Sequence, residues 1–353
     1  MKTKEKNSYW PFLNYELPRL SRLSDNLYGA SFFLMKLLPA RFILQQAEEK
    51  GIIGRGSRII ESTSGTFGLG LAILSAVKGY QLTLVSDPVI DPKLYNRLRD
   101  LGAKVEIIET YYPEGGYQKA RLNKVYEHLK ESPDTFWTEQ YSNKYNPRSY
   151  KKVSDFLLNE IGNIDFLVGP VGSGGSMCGT SRYLREYLPN LKVVGVDTCK
   201  SILFGQENGN RLLRGLGNSV MPQILDHSTF DLISWVPANI AFRVTRELHQ
   251  THGLYMGGTS GAAYHVAKWI SDKFKDAKVV TFFPDEGHRY TETIYTDQWL
   301  EEIPGINEVI PKEPKKIQFP KENEESWTVL NWNRRSLEDV LSLNEKTQFY
   351  DYK

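Results

Sequence analysis

The turn at residues 61–70 decides the fold class, and it reads Glu61-Ser62-Thr63-Ser64-Gly65-Thr66-Phe67-Gly68-Leu69-Gly70. A short apolar run at residues 58–60 precedes the turn, and a segment rich in alanine and leucine follows it at residues 71–78. This order of strand, hydroxyl- and glycine-rich turn and helix directs backbone N–H groups to one point beside the positive end of the helix dipole. The turn therefore predicts a binding site for an anion, either a phosphate or a carboxylate.

Short apolar runs alternate with helical segments along most of the chain. The predicted strands lie at residues 58–60, 81–85, 104–108, 166–168, 192–196 and 278–283. The predicted helices between them lie at residues 67–78, 92–101, 117–130 and 176–187. Strands that are joined by crossover helices form parallel sheets with helices on both faces. The sequence therefore predicts an α/β protein.

The alternation ends near Pro304, and the chain beyond it is rich in proline and charge. Aromatic residues in this tail indicate that it packs against another surface. Among them are Trp327, Trp332, Phe349 and Tyr350.

The composition is that of a globular protein, and several functional classes are disfavoured by it. The formal net charge is +2 over 353 residues without a basic stripe, which argues against nucleic-acid binding. The apolar run at residues 32–44 is too short to cross a bilayer, and Lys36 and Arg41 interrupt it. Without an apolar signal core, we expect a cytoplasmic protein with no membrane partner. Cys178 and Cys199 predict buried free thiols and no metal site.

A second glycine-rich turn follows the predicted strand at residues 166–168, and its centre reads Gly172-Ser173-Gly174-Gly175-Ser176. Its backbone N–H groups and two hydroxyls suit a phosphate. A dinucleotide-binding interpretation is also open, because Asp197 ends the next strand at the spacing of a ribose-binding acid. However, Met177 occupies the third glycine position of that motif, and the turn at residues 61–70 then has no role.

Two anion-binding turns on neighbouring α/β units suit a ligand that carries a phosphate and a carboxylate. Pyridoxal phosphate joined to an amino acid is such a ligand, and its chemistry needs a lysine that holds the aldehyde. Lys36 lies among apolar residues, where desolvation lowers the pKa of an amine and makes it nucleophilic. The local sequence equally permits a lysine that reaches solvent from an amphipathic helix.

Three further segments complete the pattern. They are Thr138-Glu139-Gln140-Tyr141, Gly215-Leu216-Gly217 and Pro284-Asp285-Glu286-Gly287-His288-Arg289-Tyr290. Together with Lys36 and the two turns, they resemble the cysteine synthase and cystathionine β-synthase family of fold-type II pyridoxal-phosphate enzymes. The resemblance extends from about residue 17 to about residue 300.

The resemblance implies a fold of two domains, each with a twisted, mainly parallel sheet flanked by helices. It places residues 1–34 and 145–304 in a large cofactor-binding domain and residues 35–144 in a small domain that carries the substrate loop. Residues 305–353 then form a C-terminal extension, and a homodimer is expected.

The resemblance also implies a set of site residues. Lys36 is the catalytic residue and holds the aldehyde of pyridoxal 5'-phosphate. The other implied cofactor contacts are Thr66, Gly172, Ser173, Gly174, Gly175, Ser176 and Glu286, the last in place of a serine that faces the pyridine nitrogen. The implied contacts with the amino-acid substrate are Thr63, Ser64, Gly65, Gln140 and Gly215.

The activity implied by the resemblance is β-replacement on an activated serine, either O-phosphoserine or O-acetylserine. The reaction passes through an aminoacrylate and gives a β-substituted alanine. Segments at residues 35–40, 115–117, 202–205 and 217–225 are similar to the family's siderophore-pathway branch, which joins O-phosphoserine to glutamate.

Departures from the family pattern leave two alternatives open. A carboxylate at Glu286 favours a protonated pyridine ring, which suits elimination, racemisation or γ-carbon chemistry. Thr66 replaces an asparagine, Phe67 replaces a small hydroxyl residue, and Leu37-Leu38 replaces Asp-Arg. These changes around the cofactor are the argument for a non-catalytic binding protein.

Overall fold

The computed structural model describes residues 13–342, which form two β-sheets flanked by helices. In chain order the strands are β1 (Arg19–Arg22), β2 (Leu27–Ser31), β3 (Arg58–Ser62), β4 (Gln81–Ser86), β5 (Lys104–Ile107), β6 (Phe136–Trp137), β7 (Phe166–Pro170), β8 (Lys192–Asp197), β9 (Leu232–Trp235), β10 (Val279–Phe283), β11 (Lys315–Lys316) and β12 (Thr328–Asn331).

The helices in chain order are α1 (Leu13–Glu16), α2 (Leu37–Glu49), α3 (Thr66–Lys78), α4 (Pro92–Asp100), α5 (Gly116–Glu131), α6 (Tyr145–Ser149), α7 (Lys151–Ile161), α8 (Gly175–Arg185), α9 (Ala238–His252), α10 (Gly258–Lys273) and α11 (Asp297–Glu301). Within the described part of the chain, none of them has the length and apolar character that a membrane span requires.

The larger sheet has eight strands in the order β1-β2-β10-β7-β8-β9-β12-β11, and the smaller has four in the order β5-β4-β3-β6. Every pairing in the smaller sheet is parallel. In the larger sheet β2, β10, β7, β8 and β9 are parallel, β1 runs antiparallel to β2, and β12 runs antiparallel to β9 but parallel to β11. The predicted α/β class, with mainly parallel sheets flanked by helices, is confirmed.

The smaller sheet buries its apolar residues against α2 and α3, whose contact depends on a glycine. A Cβ built on Gly70 would lie 3.2 Å from the backbone oxygen of Lys36 and 3.3 Å from the Cα of Leu37. A larger residue at this position would therefore push α3 away from the first turn of α2. Leu37 and Leu38 are fully buried beneath this contact. The family's Asp-Arg pair is thus replaced by two residues that pack in the core.

All the predicted strands and helices are present, but the sequence pattern missed six strands. β1 and β2 read Arg-Leu-Ser-Arg and Leu-Tyr-Gly-Ala-Ser, and neither has a continuous apolar run. All four strands of the smaller sheet fall between residues 58 and 137. The domain boundaries at residues 35, 145 and 305 stay predictions.

The C-terminal tail belongs to the larger sheet. β12 pairs with β9, and β11 extends the same edge. Trp327 and Trp332 are buried, as a packed tail requires, and the ring of Trp332 lies 5.3 Å from that of Phe204 and 5.7 Å from that of His227. Phe349 and Tyr350 lie outside the described residues. The extension therefore supports the 3₁₀ turn at Ile202–Phe204, which precedes a loop of the site described below.

We expect Trp332→Ala to lower the free energy of unfolding by about 3–5 kcal/mol, because it removes a buried aromatic side chain from the core. Urea denaturation followed by circular dichroism measures this loss. Tyr187→Ala is the matched control, since Tyr187 is 66% exposed and its removal should cost under about 0.5 kcal/mol. An equally small loss for Trp332→Ala would show that the extension is not part of the cooperative core.

Candidate active site

A cavity of about 860 Å³ lies where the carboxyl ends of the strands of both sheets meet. The loops that follow β3, β4 and β6 line one side of it. The loops that follow β7 and β10, together with residues 208–219 after β8, line the other side. Ligand sites of open α/β sheets occur at such carboxyl ends. Its size exceeds the minimum for a drug-sized ligand, so two joined small molecules can fit.

Lys36 reaches this cavity from the residue that precedes α2. Burial lowers the pKa of its amine to about 8, and the charges of Asp285 and Glu61 oppose this effect. Its side chain forms no hydrogen bond or ion pair with a residue in the range 13–342. At pH 7 about a tenth of the amine is therefore uncharged, whereas an ordinary lysine is almost entirely protonated. The structure thus places a nucleophilic amine in the cavity.

The turn after β3 lines the same cavity as Lys36. Thr63, Ser64, Gly65 and Thr66 all line it. Gly65 precedes α3 without a side-chain cap, and its own N–H donates to Oγ1 of Thr63 at 3.2 Å. The first N–H groups of a helix have no intrahelical acceptor, so this end of α3 suits an anion.

Glu61 holds this turn to the segment that contains Gln140. Its buried carboxylate accepts hydrogen bonds from Thr138 Oγ1 at 2.5 Å, from the backbone N of Gln140 at 3.0 Å and from the backbone N of Ser62 at 2.7 Å. The side-chain amide of Gln140 donates to the backbone oxygen of Ser62 at 2.9 Å, which leaves its second hydrogen for a ligand. Burial raises the pKa of Glu61, and these donors oppose the shift. The carboxylate thus fixes Gln140 beside the turn.

The second glycine-rich turn lies on the opposite wall. Its residues that line the cavity are Gly172, Ser173 and Ser176. Gly174 and Gly175 do not line the cavity and instead shape the turn. Gly174 has a φ of +86°, and a Cβ on Gly175 would lie 2.2 Å from Oδ1 of Asn146. No described residue bonds the hydroxyl of either serine. The turn therefore offers hydroxyls and the N-terminus of α8 to an anion.

Asp197, which the dinucleotide interpretation needs, does not line the cavity. It is fully buried beneath the loop at residues 208–219, and its Oδ1 accepts a hydrogen bond from the backbone N of Thr198 at 2.7 Å. A carboxylate in this position cannot reach a ribose in the cavity.

The structure does not place Glu286 in the cavity wall, where its predicted contact with the pyridine nitrogen would lie. Its carboxylate bonds to Arg19 and lies 3.5 Å from Nε2 of His288. Successive side chains of an extended backbone point to opposite sides, and residues 285 and 286 bridge to opposite neighbours, Leu34 and Met256. The carboxylate that lines the cavity is that of Asp285. The sequence could not choose between them, because β10 is buried on both faces.

Asp285 is 5% exposed and is held in place by two neighbours. The hydroxyl of Tyr290 donates to its Oδ2 at 2.9 Å, and Nη1 of Arg289 lies 3.5 Å from the same oxygen. A Cβ on Gly257 would lie 2.4 Å from its Oδ1, so only glycine leaves room for the carboxylate. Burial raises the pKa of Asp285, while Arg289, Tyr290 and Lys36 oppose the rise.

A group of hydrogen-bond donors from two different elements lines the cavity, and the sequence pattern missed it. Nη1 of Arg121 pairs with Asp87 at 3.1 Å, yet its buried Nε and Nη1 lack a well-aligned hydrogen bond within the described residues. Nε2 of Gln118 is likewise buried without an acceptor. Arg214, from the facing loop, opens to the cavity without a hydrogen bond or ion pair to residues 13–342. Burial lowers its pKa, as does repulsion by Arg121, against the attraction of Asp87. We name Gln118, Arg121 and Arg214 the donor cluster.

Phe67, one of the unusual residues of the first turn, contributes to both the cavity wall and the core of the smaller sheet unit. It is 1% exposed and packs among the apolar residues of α2 and α3. Its size is therefore explained by packing. Thr66 beside it keeps a hydroxyl in the cavity wall.

The chain matches the family model described as pyridoxal-phosphate dependent enzyme over residues 31–285. It resembles the structure of a hydrogen sulfide-producing enzyme from Fusobacterium nucleatum, with 27% identity, a TM-score of 0.73, and coverage of 78% of this chain and 98% of that one. It also resembles an O-acetylserine dependent cystathionine β-synthase from Helicobacter pylori, with 27% identity, a TM-score of 0.71, and coverage of 81% and 94%. A third similar structure, of O-ureido-L-serine synthase, has 24% identity, a TM-score of 0.72 and coverage of 81% and 94%, which indicates a shared fold.

The residues of the cavity fit pyridoxal 5'-phosphate. A desolvated lysine is available for its aldehyde, and the turn at residues 172–176 offers unbonded hydroxyls and a helix N-terminus for its phosphate. The buried carboxylate of Asp285 is a possible partner for its ring. The chain therefore belongs to the family of pyridoxal-phosphate dependent enzymes, within its cysteine synthase-like, fold-type II group, and uses pyridoxal 5'-phosphate as its cofactor.

Proposed function

We propose that this enzyme replaces the leaving group on the β-carbon of an activated serine, O-phosphoserine or O-acetylserine, and so forms a β-substituted alanine. The observation that carries this proposal is the position of the desolvated Lys36 amine between two separate anion-binding turns. One turn suits the phosphate of the cofactor, and the other suits the carboxylate of an amino acid. A single amine between them can serve both the cofactor and the α-carbon.

In this proposal Lys36 holds the cofactor until substrate arrives and then, as the freed amine, takes the proton from the α-carbon. Bound pyridoxal phosphate supplies an electron sink for the charge left on that carbon. The residues proposed to bind the substrate carboxylate and orient the substrate are Thr63, Ser64, Gly65, Gln140 and Gly215. The residues proposed to hold the phosphate and ring are Thr66, Gly172, Ser173 and Ser176, with the backbone of Gly174 and Gly175 shaping the turn.

The relatives support a reaction at the β-carbon of serine. The protein from Helicobacter pylori is described as an O-acetylserine dependent cystathionine β-synthase, and the third similar structure as an O-ureido-L-serine synthase. Both names describe products with a new group on the β-carbon of a serine- or cysteine-type frame.

The donor cluster supports an acidic nucleophile. Its donors come from both sides of the cavity, because Gln118 and Arg121 belong to α5 while Arg214 belongs to the facing loop. Gln118 and Arg121 carry buried donors without hydrogen-bond acceptors, which is costly, and a ligand carboxylate between them and the exposed Arg214 would satisfy several donors at once. The carboxylate of the serine substrate is proposed to bind at the turn of residues 61–70. The donor cluster is therefore available to the carboxylate of a second substrate. It agrees with the similarity to the branch that joins O-phosphoserine to glutamate.

A second candidate, elimination or racemisation, is favoured by one observation. A carboxylate, that of Asp285, lines the cavity where the family has a serine. A carboxylate beside the ring strengthens the electron sink more than β-replacement needs. Product analysis separates the two candidates.

We also propose the two domains and the cytoplasmic homodimer that the sequence indicates. These proposals rest on the resemblance in sequence. Sedimentation of the purified protein measures the oligomeric state directly.

Incubation of the holoenzyme with O-phosphoserine or O-acetylserine, with and without L-glutamate or sulfide, tests the reaction. We expect a β-substituted alanine, identified by mass spectrometry, when a nucleophile is present. Lys36→Ala should abolish product, while Lys151→Ala, an exposed lysine on α7, should retain it. If both serine derivatives yield only pyruvate and ammonia with every nucleophile, β-replacement is wrong and elimination is the activity.

The lowered pKa of Lys36 predicts how fast the cofactor-free protein captures pyridoxal phosphate. Only the neutral amine attacks the aldehyde, so the rate should rise with pH through about 8 and then level off. An ordinary lysine, such as that of N-acetyl-lysine, should still gain reactivity up to about pH 10. Stopped-flow absorbance after mixing measures both rates. A capture rate that parallels the free lysine across this range would contradict a desolvated Lys36.

Loss of the Arg214 guanidinium should weaken the binding of an acidic nucleophile. We expect Arg214→Leu to raise the KM for L-glutamate by about tenfold or more, which is the effect of losing one hydrogen bond to a charged group. The KM for sulfide, which carries no carboxylate, should change by less than about twofold. The matched control is Arg182→Leu, an exposed arginine on α8 outside the cavity. Equal changes for both nucleophiles would exclude this role for the donor cluster.

A further inference from the structure

We propose that Asp285 is the residue that contacts the ring nitrogen of the cofactor and that its carboxylate keeps this nitrogen protonated. The proposal rests on the cofactor seat proposed above, in which Lys36 holds the aldehyde and the turn at residues 172–176 holds the phosphate. It assigns to this enzyme a charged partner for the ring in place of a neutral hydroxyl.

The acidic side chains that line the cavity within residues 13–342 are Asp87, Asp91 and Asp285. Asp87 is paired with Arg121 at 3.1 Å. Asp91 caps α4, because its Oδ1 accepts from the backbone N of Leu94 at 2.8 Å. Glu61 does not line the cavity, and its carboxylate accepts hydrogen bonds from protein groups. Asp285 is paired as well, with Arg289 at 3.5 Å, but through Oδ2 alone, and it lies on the segment that bridges to Leu34, two residues before Lys36.

The hydrogen bonds of Asp285 leave one oxygen for a ligand. Tyr290 and Arg289 both approach Oδ2, whereas Oδ1 accepts no hydrogen bond from a described residue. Oδ1 lies over the backbone of Gly257, where the missing side chain keeps the space open. The carboxylate is thus oriented through one oxygen and free to accept through the other.

The oxygen of Asp285 that has no donor suits a protonated ring nitrogen. Oδ1 of the ionised Asp285 carboxylate would accept a hydrogen bond from the ring N–H, whose proton would come from solvent. Asp285 is buried, so this charge-assisted hydrogen bond forms away from water, where it is stronger than at the surface. The nearby cation Arg289 is directed to Oδ2 and does not take the place of the ring.

The position of Asp285 in the fold also agrees with a ring whose aldehyde is held by Lys36. The nitrogen stands opposite the ring carbon that bears the aldehyde, so a partner of the nitrogen lies across the ring from the lysine. Asp285 follows β10, whereas Lys36 precedes α2, and the bridge between Leu34 and Asp285 brings these two segments together at the cavity. A ring held at this junction would have both the amine of Lys36 and the carboxylate of Asp285 within its surroundings.

Nitrogen-15 NMR of the holoenzyme, reconstituted with pyridoxal phosphate labelled at the ring nitrogen, tests the proposal without any variant. We expect the chemical shift of a protonated pyridine that stays unchanged from about pH 6 to about pH 9, above the range where a free ring loses its proton. A pyridine-type shift across this range overturns the proposal.

Binding of a cofactor analogue gives a second, independent test. 1-Deaza-pyridoxal phosphate has carbon in place of the ring nitrogen and cannot donate to Oδ1. Wild-type protein should bind pyridoxal phosphate about tenfold to a hundredfold more tightly than this analogue, and Asp285→Asn and Asp285→Ser should largely lose that preference. Glu286→Gln, the neighbour that points away, should retain it. A preference that is equal in all four proteins overturns the proposal, as does its loss in Glu286→Gln alone.

These readouts do not depend on the reaction. If the product assay finds no β-substituted alanine but the nitrogen is protonated, the proposed function fails and Asp285 keeps its role. If the ring nitrogen is neutral but β-replacement is normal, the proposed role of Asp285 fails and the proposed function stands. A merely structural role for Asp285, in which it anchors Tyr290 and Arg289, would lower the affinity for both cofactors equally.

Discussion

The convergence of two sets of parallel strands on one cavity is the constraint on which the rest of the structure depends. Parallel strands of one sheet all end at the same edge, and here the carboxyl ends of both sheets face each other. Each loop that leaves an edge then contributes a wall of the cavity. Residues far apart in the chain, such as Lys36 and Asp285, meet only because of this arrangement. The helices α3 and α8 begin just beyond these edges, and the positive ends of their dipoles lie at the same cavity.

Removal of water from charged groups gives the cavity its chemistry. The amine of Lys36 loses part of its affinity for protons because it is buried, and the carboxylates of Asp285 and Glu61 limit that loss. Glu61 is itself buried, but protein donors surround it and it serves to hold Gln140 beside the first turn. One buried carboxylate therefore has a structural task, and the other remains open toward the ligand. The two acids therefore differ in their roles, and their positions in the sequence alone do not show this difference.

The supports of the cavity extend well beyond its lining. Trp332 of the C-terminal extension packs on Phe204, which precedes the loop that carries Arg214. Gly70 allows α3 to approach the backbone of Lys36, just before the start of α2. The unusual Leu37 and Leu38 fill the core below this contact. Three of the departures that suggested a non-catalytic protein, Leu37, Leu38 and Phe67, are thus packing changes in the described structure, and the chain belongs to a family of enzymes.

The sequence by itself determined the α/β class, the central strands, the two glycine-rich turns and Lys36, because each depends on local pattern: apolar periodicity, missing side chains and an amine among apolar neighbours. It could not choose between Asp285 and Glu286, since β10 is buried on both faces and alternation gives no direction. Nor could it bring Arg121 and Arg214 together, because Arg121 lies on α5 beside the smaller sheet and Arg214 lies on a loop that follows β8 of the larger sheet. The tertiary structure decided these points, because the direction of a side chain and contact across a cavity depend on how the two sheets pack.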